Sequence, residues 1–360
     1  MATSSRTHIG WIDLAKGISI LLVVFHHGIQ SVYGMPGLEL AGITATAANV
    51  YELLSQKLVP IRMPLFFMIS GFLVHRAATR YQWKDVWFKR VQTIWYVYVL
   101  WSLIQWAAVS YIMWSVGAEK PASETMISNY ANDLGTFAGL TLIGTSSLWY
   151  LYALPVYFIL CKAMSSRPGF AIGFFLACHF LSSYYNLQFP TSSIVKNGIF
   201  YAIGVFFSPV LFPMINNISH KAFLYIGGIL AVKVGLGFIG VDVALLNTLM
   251  FVTIMVFFIN WFQEHFDIPV LRWIGKNTLS IYIIHHILLK LLVFILVPMM
   301  ISAGWFNNAT FATAWALFAP VVALVFMTAG SLFIWKYTHS GVGKYLYESP
   351  RRAVVGPKPA

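Results

Sequence analysis

Long apolar runs, interrupted by a polar cluster, a glycine or a proline, recur along the whole chain. About ten of them approach the roughly 20 residues that a helix needs to cross a hydrocarbon core. They lie near residues 10–31, 58–77, 91–115, 146–164, 169–186, 195–214, 222–240, 243–262, 278–302 and 311–335. The pattern predicts an all-α fold, a polytopic transmembrane helical bundle of about ten helices. Residues 34–57 are less apolar and predict a short interfacial helix. Residues 117–144 predict the largest external loop, with Glu119, Glu124 and Asp133 set against Lys120. These two connections are where an acceptor molecule could be met.

Composition strengthens this picture. Of 360 residues, 59% are hydrophobic and 9% charged, far below the roughly one quarter charged in a soluble chain, and the mean hydropathy is +0.75. A soluble fold is excluded and the lipid bilayer is the solvent. The net charge of +12 could suggest nucleic acid, but the cations sit in short loops rather than on one basic face. No nucleic-acid partner is expected. Topology explains the charge better, because positively charged loops stay cytoplasmic. Arg76, Arg80, Lys84, Lys89 and Arg90 crowd one loop. With that loop inside, Lys162, Arg167, Lys221, Arg272, Lys276 and the tail cations Lys336, Lys344, Arg351, Arg352 and Lys358 fall inside too. Both termini are then cytoplasmic, and the outer side keeps little more than Lys57, Lys120 and Lys196. The organisation expected is one integral membrane domain over residues 1–340 and a short basic cytoplasmic tail over 341–360. The stretch Met1–Gly10 lacks a small-residue cleavage site, so it is expected to be retained. Cys161 and Cys178 fall within or beside apolar runs and read as core residues.

Ionisable groups inside spans are costly and mark function by default. The first run holds Asp13, Lys16, His26 and His27. Eleven residues at about 100° each place Lys16 and His27 on one face, about 16 Å apart, with His26 pointing elsewhere. Asp13 and Lys16 are spaced to pair, and a structural ion pair is as good a reading as a functional one. His27 is the candidate least explained by packing. Arg62 stands near the outer boundary of the second run, where an interfacial anchor is the plain alternative, and Ser70-Gly71 permits close helix approach. Ser147, Trp149, Tyr150 and Tyr152 open the fourth run, as an aromatic belt also would. In the ninth run Asn277 could begin the helix, and Tyr282, His285 and His286 would form a polar patch. For His285 a structural hydrogen-bonding role and a catalytic one weigh equally, and for His286 the structural role weighs more. No carboxylate or thiol stands near enough in sequence to complete a metal site, so no metal is expected.

Together these motifs resemble the family-three membrane acyltransferases, the integral membrane O-acyltransferases of bacteria, and most closely the branch of fucose O-acetylases. The resemblance spans nearly the whole chain. An Asp, a basic residue and a histidine eleven positions later stand as Asp13, Lys16 and His27. Arg62-Met-Pro-Leu-Phe66-Phe67-Met-Ile-Ser70-Gly71-Phe72, Ser147-Leu-Trp149-Tyr150-Leu and Gly275-Lys-Asn-Thr-Leu-Ser-Ile-Tyr282-Ile-Ile-His285 match the later motifs. Many members carry arginine where Lys16 stands, so the planar fork is lost and the charge kept. The resemblance implies a 1–340 acyltransferase domain in the bacterial inner membrane. It would move acetyl from cytoplasmic acetyl-CoA to a hydroxyl of a cell-surface carbohydrate or lipid-linked glycan.

His27 would be the general base or, in a variant, a covalent acyl carrier. Asp13 and Lys16 would support helix geometry or the donor entrance. Arg62 would stabilise charge on the carbonyl oxygen or position the acceptor. Trp149, Tyr150, Tyr282, His285 and Ser70 would contribute to substrate binding. The competing expectation is a transporter or flippase for a lipid-linked saccharide or anionic solute, since intramembrane charges also mark translocation paths. No internal repeat of the kind that class often shows is visible.

Overall fold

A computed structural model describes residues 10–34, 42–120, 127–216, 220–238 and 244–350, without the side chains of 43, 60 and 212–226. Every regular element among them is helical. Helix α1 is Gly10–Tyr33, α2 Ile43–Lys57, α3 Val59–Thr79, α4 Trp83–Trp87, α5 Thr93–Ser115, α6 Leu134–Leu142, α7 Trp149–Ala163 and α8 Pro168–Tyr184. Then follow α9 Thr191–Asn216, α10 His220–Phe238, α11 Ala244–His265, α12 Pro269–Lys276, α13 Thr278–Leu291, α14 Val297–Ser302 and α15 Ala309–Thr338.

Among the described residues, seven helical segments are long and apolar enough to cross a membrane: α1, Thr44–Thr79, Trp83–Ser115, Thr191–Leu211, α11, Thr278–Ser302 and α15. Three shorter apolar helices, α7, α8 and Gly227–Phe238, fall on three further expected runs. At 1.5 Å per residue α7 and α8 reach only about 23 and 26 Å, less than a core of about 30 Å.

Elsewhere the helices extend past the expected boundaries. The less apolar segment before the second run is helical as α2 and is joined to α3 through Leu58, with proline in the first turn of α3, where its missing N–H has no intrahelical partner to lose. The expected basic loop is largely helix: α4 and a π-helical turn, Phe88–Gln92, lead directly into α5. Lys84, Lys89 and Arg90 are therefore carried on a helical extension, where long cationic side chains can reach polar surroundings. The expected external loop contains α6, whose first turn is capped by the Asp133 carboxylate accepting from the Thr136 N–H at 2.9 Å. Glu124 lies outside the described residues.

Two pairs of glycines set close helix crossings. A methyl group added at Gly71 or Gly204 would fall within 3.0 Å of the backbone carbonyls of Tyr201 or Met68, so α3 and α9 meet backbone to backbone. Gly17 and Gly275 do the same for α1 and α12, against the carbonyls of Leu271 and Asp13. The close-packing reading of Gly71 holds. Asn277 does stand at the α12–α13 boundary, but its side chain donates back to the Trp273 carbonyl at 2.9 Å rather than capping α13.

Lys162, expected as a loop cation, is buried. Its Nζ donates to the carbonyls of Tyr81 at 2.6 Å and Ala77 at 3.1 Å, close to the C-terminal end of α3, where carbonyls lack helical partners. The first residues of the expected tail are docked: Trp101 donates to the Leu346 carbonyl at 2.6 Å and Tyr96 to that of Tyr345 at 3.0 Å. Residues 351–360 lie outside the described set.

Candidate active site

A cavity of about 700 Å³ opens among α1, α2, α3, α7, α8, α9, α11 and α13. Its wall is made by the C-terminal third of α1, the α2–α3 junction, the first turns of α7, α9 and α11 and the last turns of α8. Of the candidate residues, His27, Arg62, Trp149 and Tyr282 line it directly. Arg62 stands fourteen residues before Arg76 on α3, about 21 Å along the helix axis, so the cavity and the main cationic cluster occupy opposite ends of the bundle.

His27 is half-buried and faces His285 of α13, the ring centroids 5.6 Å apart and the planes tilted by 30°. His285 is 3% exposed, and its Nδ1–H donates to the Ile281 carbonyl one turn earlier at 3.0 Å. That bond fixes the neutral tautomer: Nδ1 carries the proton and Nε2 is left as an acceptor. The two adjacent histidines of α1 do diverge, since His26 reaches the Ser55 hydroxyl of α2 at 2.7 Å. Contrary to the expectation that it points elsewhere, His26 also lines the cavity, which is wide enough to take in both rings.

Behind Tyr282 lies a buried polar network. The Tyr282 hydroxyl donates to the Ser147 carbonyl at 3.1 Å and accepts from the Tyr150 N–H at 3.3 Å. Asn129 Oδ1 accepts from the Ser147 N–H at 3.2 Å. Gln105 accepts from Asn129 Nδ2 at 2.8 Å and from the Ser147 hydroxyl, and donates to the Ile283 carbonyl at 2.8 Å. The start of α7 is buried at Ser146, Leu148 and Trp149, and these bonds satisfy the non-helical backbone there. The shortness of α7 follows: its N-terminus begins inside the protein, on a platform that fixes Trp149 and Tyr282.

Ser70 and Tyr150 stand one layer back, their hydroxyls 2.7 Å apart, with Tyr150 packed on Phe66, Phe67 and Tyr282 at centroid separations of 4.9, 4.8 and 5.5 Å. Neither lines the cavity. Asp13 and Lys16 form the expected i,i+3 pair at 3.6 Å, but the structure does not bring them to the cavity, which begins on α1 at Val23. Arg62 is 7% exposed and its Nη1 has no hydrogen-bond partner among the described residues. The opposite wall holds Lys196, Asn197, His179, Ser183 and Ser193. Sequence pattern marks Lys196 only as an outer-side cation and does not single out the other four. His179 falls within the fifth expected run, so the same rule that selected His27 would have found it; Gln105 was likewise an intramembrane polar residue. Among the described residues, no group of three or more His, Cys, Asp or Glu side chains is placed to hold a metal ion.

A multi-helix bundle built for lipid, with an imidazole and a buried guanidinium on one interior cavity, defines a polytopic membrane protein with a reaction or binding chamber between its helices. The chain belongs to the acyltransferase-3 family, whose model, described as an acyltransferase domain, matches residues 9–336. It is 27% identical over 347 residues to the inner membrane protein YcfT of Escherichia coli (strain K12), covering 94% of this chain and 96% of that protein. No solved structure matches it.

Proposed function

We propose that the protein is an inner-membrane O-acyltransferase that moves an acetyl group from cytoplasmic acetyl-CoA to a hydroxyl of a cell-surface or lipid-linked carbohydrate. The observation that carries this reading is His27, half-buried on the cavity wall, backed by His285 and sharing the chamber with the Arg62 guanidinium, whose Nη1 has no hydrogen-bond partner among the described residues. An alcohol is a poor nucleophile at neutral pH. His27 takes its proton as the oxygen attacks the thioester carbon; the carbon–sulfur bond breaks, and the departing thiolate takes that proton back from His27, which regenerates the base. Arg62 faces the negative charge that gathers on the carbonyl oxygen or on the acceptor. Trp149 and Tyr282 supply aromatic wall for a sugar, while Tyr150, Ser70 and His285 hold that wall in place. Asp13 and Lys16 act away from the chemistry, at the α1–α12 crossing.

The proposed setting is ten crossings with both termini in the cytoplasm, so that the cavity opens on the periplasmic side. Transfer of radiolabel from acetyl-CoA into membrane glycans tests the reading. Removing a general base costs roughly a hundredfold to ten-thousandfold, so His27→Ala membranes with verified expression should show almost no label. Equal labelling by both proteins would remove His27 from the mechanism, and glycan flux without acyl transfer would favour a transporter.

A further inference from the structure

We propose that the acceptor is acidic: the cavity seats a carboxylate or phosphate of the acceptor between Arg62 and Lys196. This rests on the acyltransferase reading and names the substrate class of the same site.

Histidines aside, the cavity wall carries two cations, Arg62 and Lys196, and one carboxylate, Glu52. Glu52 accepts from Gln56 at 3.1 Å; its carboxylate is near enough to act electrostatically on Arg62, but among the described residues no ion pair joins it to either cation, and the Arg62 Nη1 is left without an acceptor. Arg62 is therefore a guanidinium 93% withdrawn from solvent whose Nη1 meets no acceptor. Such a group is costly to bury unless a negative partner completes it, and guanidinium recognises carboxylate and phosphate through paired N–H donors.

Lys196 stands across the chamber on α9, half-buried. Its backbone carbonyl accepts from His179 Nδ1 at 2.9 Å, which secures the helix turn that carries it. Lys120, by contrast, already donates to the Ala131 carbonyl at 2.7 Å and to Ser110 at 3.3 Å. Thus one of the few cations assigned to the outer side is turned into the cavity rather than toward a protein acceptor. Ser183 and Ser193 add hydroxyls around it, beside the Asn197 amide, whose Nδ2 also donates to the Ser193 carbonyl at 2.8 Å, as a hydroxyl-rich ligand requires.

The test uses the full-length protein in proteoliposomes with radiolabelled acetyl-CoA. Acceptors are oligogalacturonate, its carboxyl-reduced neutral counterpart, and a phosphorylated mannan oligosaccharide beside its dephosphorylated form. The intact protein should label an acidic member at least about tenfold over its neutral twin. Lys196→Gln should erase that ratio by raising KM for the acidic acceptor, and Lys196→Arg should keep it. Whether the carboxylate or the phosphate pair shows the preference identifies the anion's source.

The proposal is overturned if neutral twins are labelled as well as acidic ones, if the ratio survives Lys196→Gln, or if acidic glycans fail to raise His27-dependent CoA release. It is also overturned if succinyl-CoA with a neutral glycan supersedes acetyl-CoA and loses that advantage in Lys196→Gln, since the anion would then belong to the acyl group. Absence of any His27-dependent CoA release or labelling defeats the acyltransferase reading itself, a distinct result.

Discussion

A neutral imidazole with its Nδ1–H held by a helix carbonyl can only accept at Nε2, and His285 is such a group beside His27. Replacing His285 with Phe keeps the ring volume against α1 and removes the acceptor. If that acceptor orients or polarises His27 through a bond worth about 1 kcal/mol, kcat should fall about fivefold while KM for the donor stays constant; an unchanged kcat would reduce His285 to packing. Arg62 makes the opposite kind of prediction. Its buried Nη1 has no hydrogen-bond partner among the described residues, so Arg62→Gln should lose transfer activity without lowering the thermal midpoint of the purified protein. A midpoint that drops would show that the guanidinium holds the fold. Both residues were legible in the sequence as ionisable groups inside apolar runs. Their roles were not, because a tautomer and a missing hydrogen bond are properties of three-dimensional neighbours. Lys196 was read only as a cation counted for topology, since nothing in its local sequence says that α9 turns it inward.

At the level of elements, the decisive contacts are backbone crossings and one buried helix start. A methyl at Gly275 would overlap the Asp13 carbonyl, and the clash is with backbone on both sides, so no rotamer change relieves it. Gly275→Ala should destabilise by about 3 kcal/mol, visible as a lower thermal midpoint and reduced yield of folded protein. Gly227→Ala meets open space and should do neither. Gly71 was legible because a Ser-Gly pair in an apolar helix suggests close approach; the pairing of Gly17 with Gly275 was not, since the partners lie more than 250 residues apart. The shortness of α7 has the same origin. Sequence placed a span at 146–164, whereas burial of the strand of chain before Trp149, satisfied by Gln105 and Asn129, moves the helix start inward. Gln105→Leu keeps the volume and strips those bonds. It should loosen Tyr282 and Trp149 together, lowering kcat/KM for the acceptor more than stability falls.

For the whole molecule, two arrangements of α7 and α8, both shorter than a full crossing, make different predictions: a pair of spans, or a hairpin entering from the outer side. Parity leaves the termini on the same side in either case, so terminal reporters cannot distinguish them. The contacts of Lys162 do. Its Nζ binds carbonyls of Ala77 and Tyr81 at the end of α3 that leads into the basic segment Arg76–Arg90, so the C-terminal end of α7 lies with that cationic end of the bundle. If basic segments are cytoplasmic, the α7–α8 turn is cytoplasmic as well, α7 starts within the protein and still exits inward, and Arg167 is inside. In a background lacking Cys161 and Cys178, Arg167→Cys should resist an impermeant maleimide in intact cells and react after permeabilisation, as should Lys84→Cys. Lys196→Cys, on the cavity wall, should react in intact cells. Labelling of Arg167→Cys from outside would make α7 and α8 a re-entrant pair, reduce the crossings to eight, and reverse the positive charge bias at that turn.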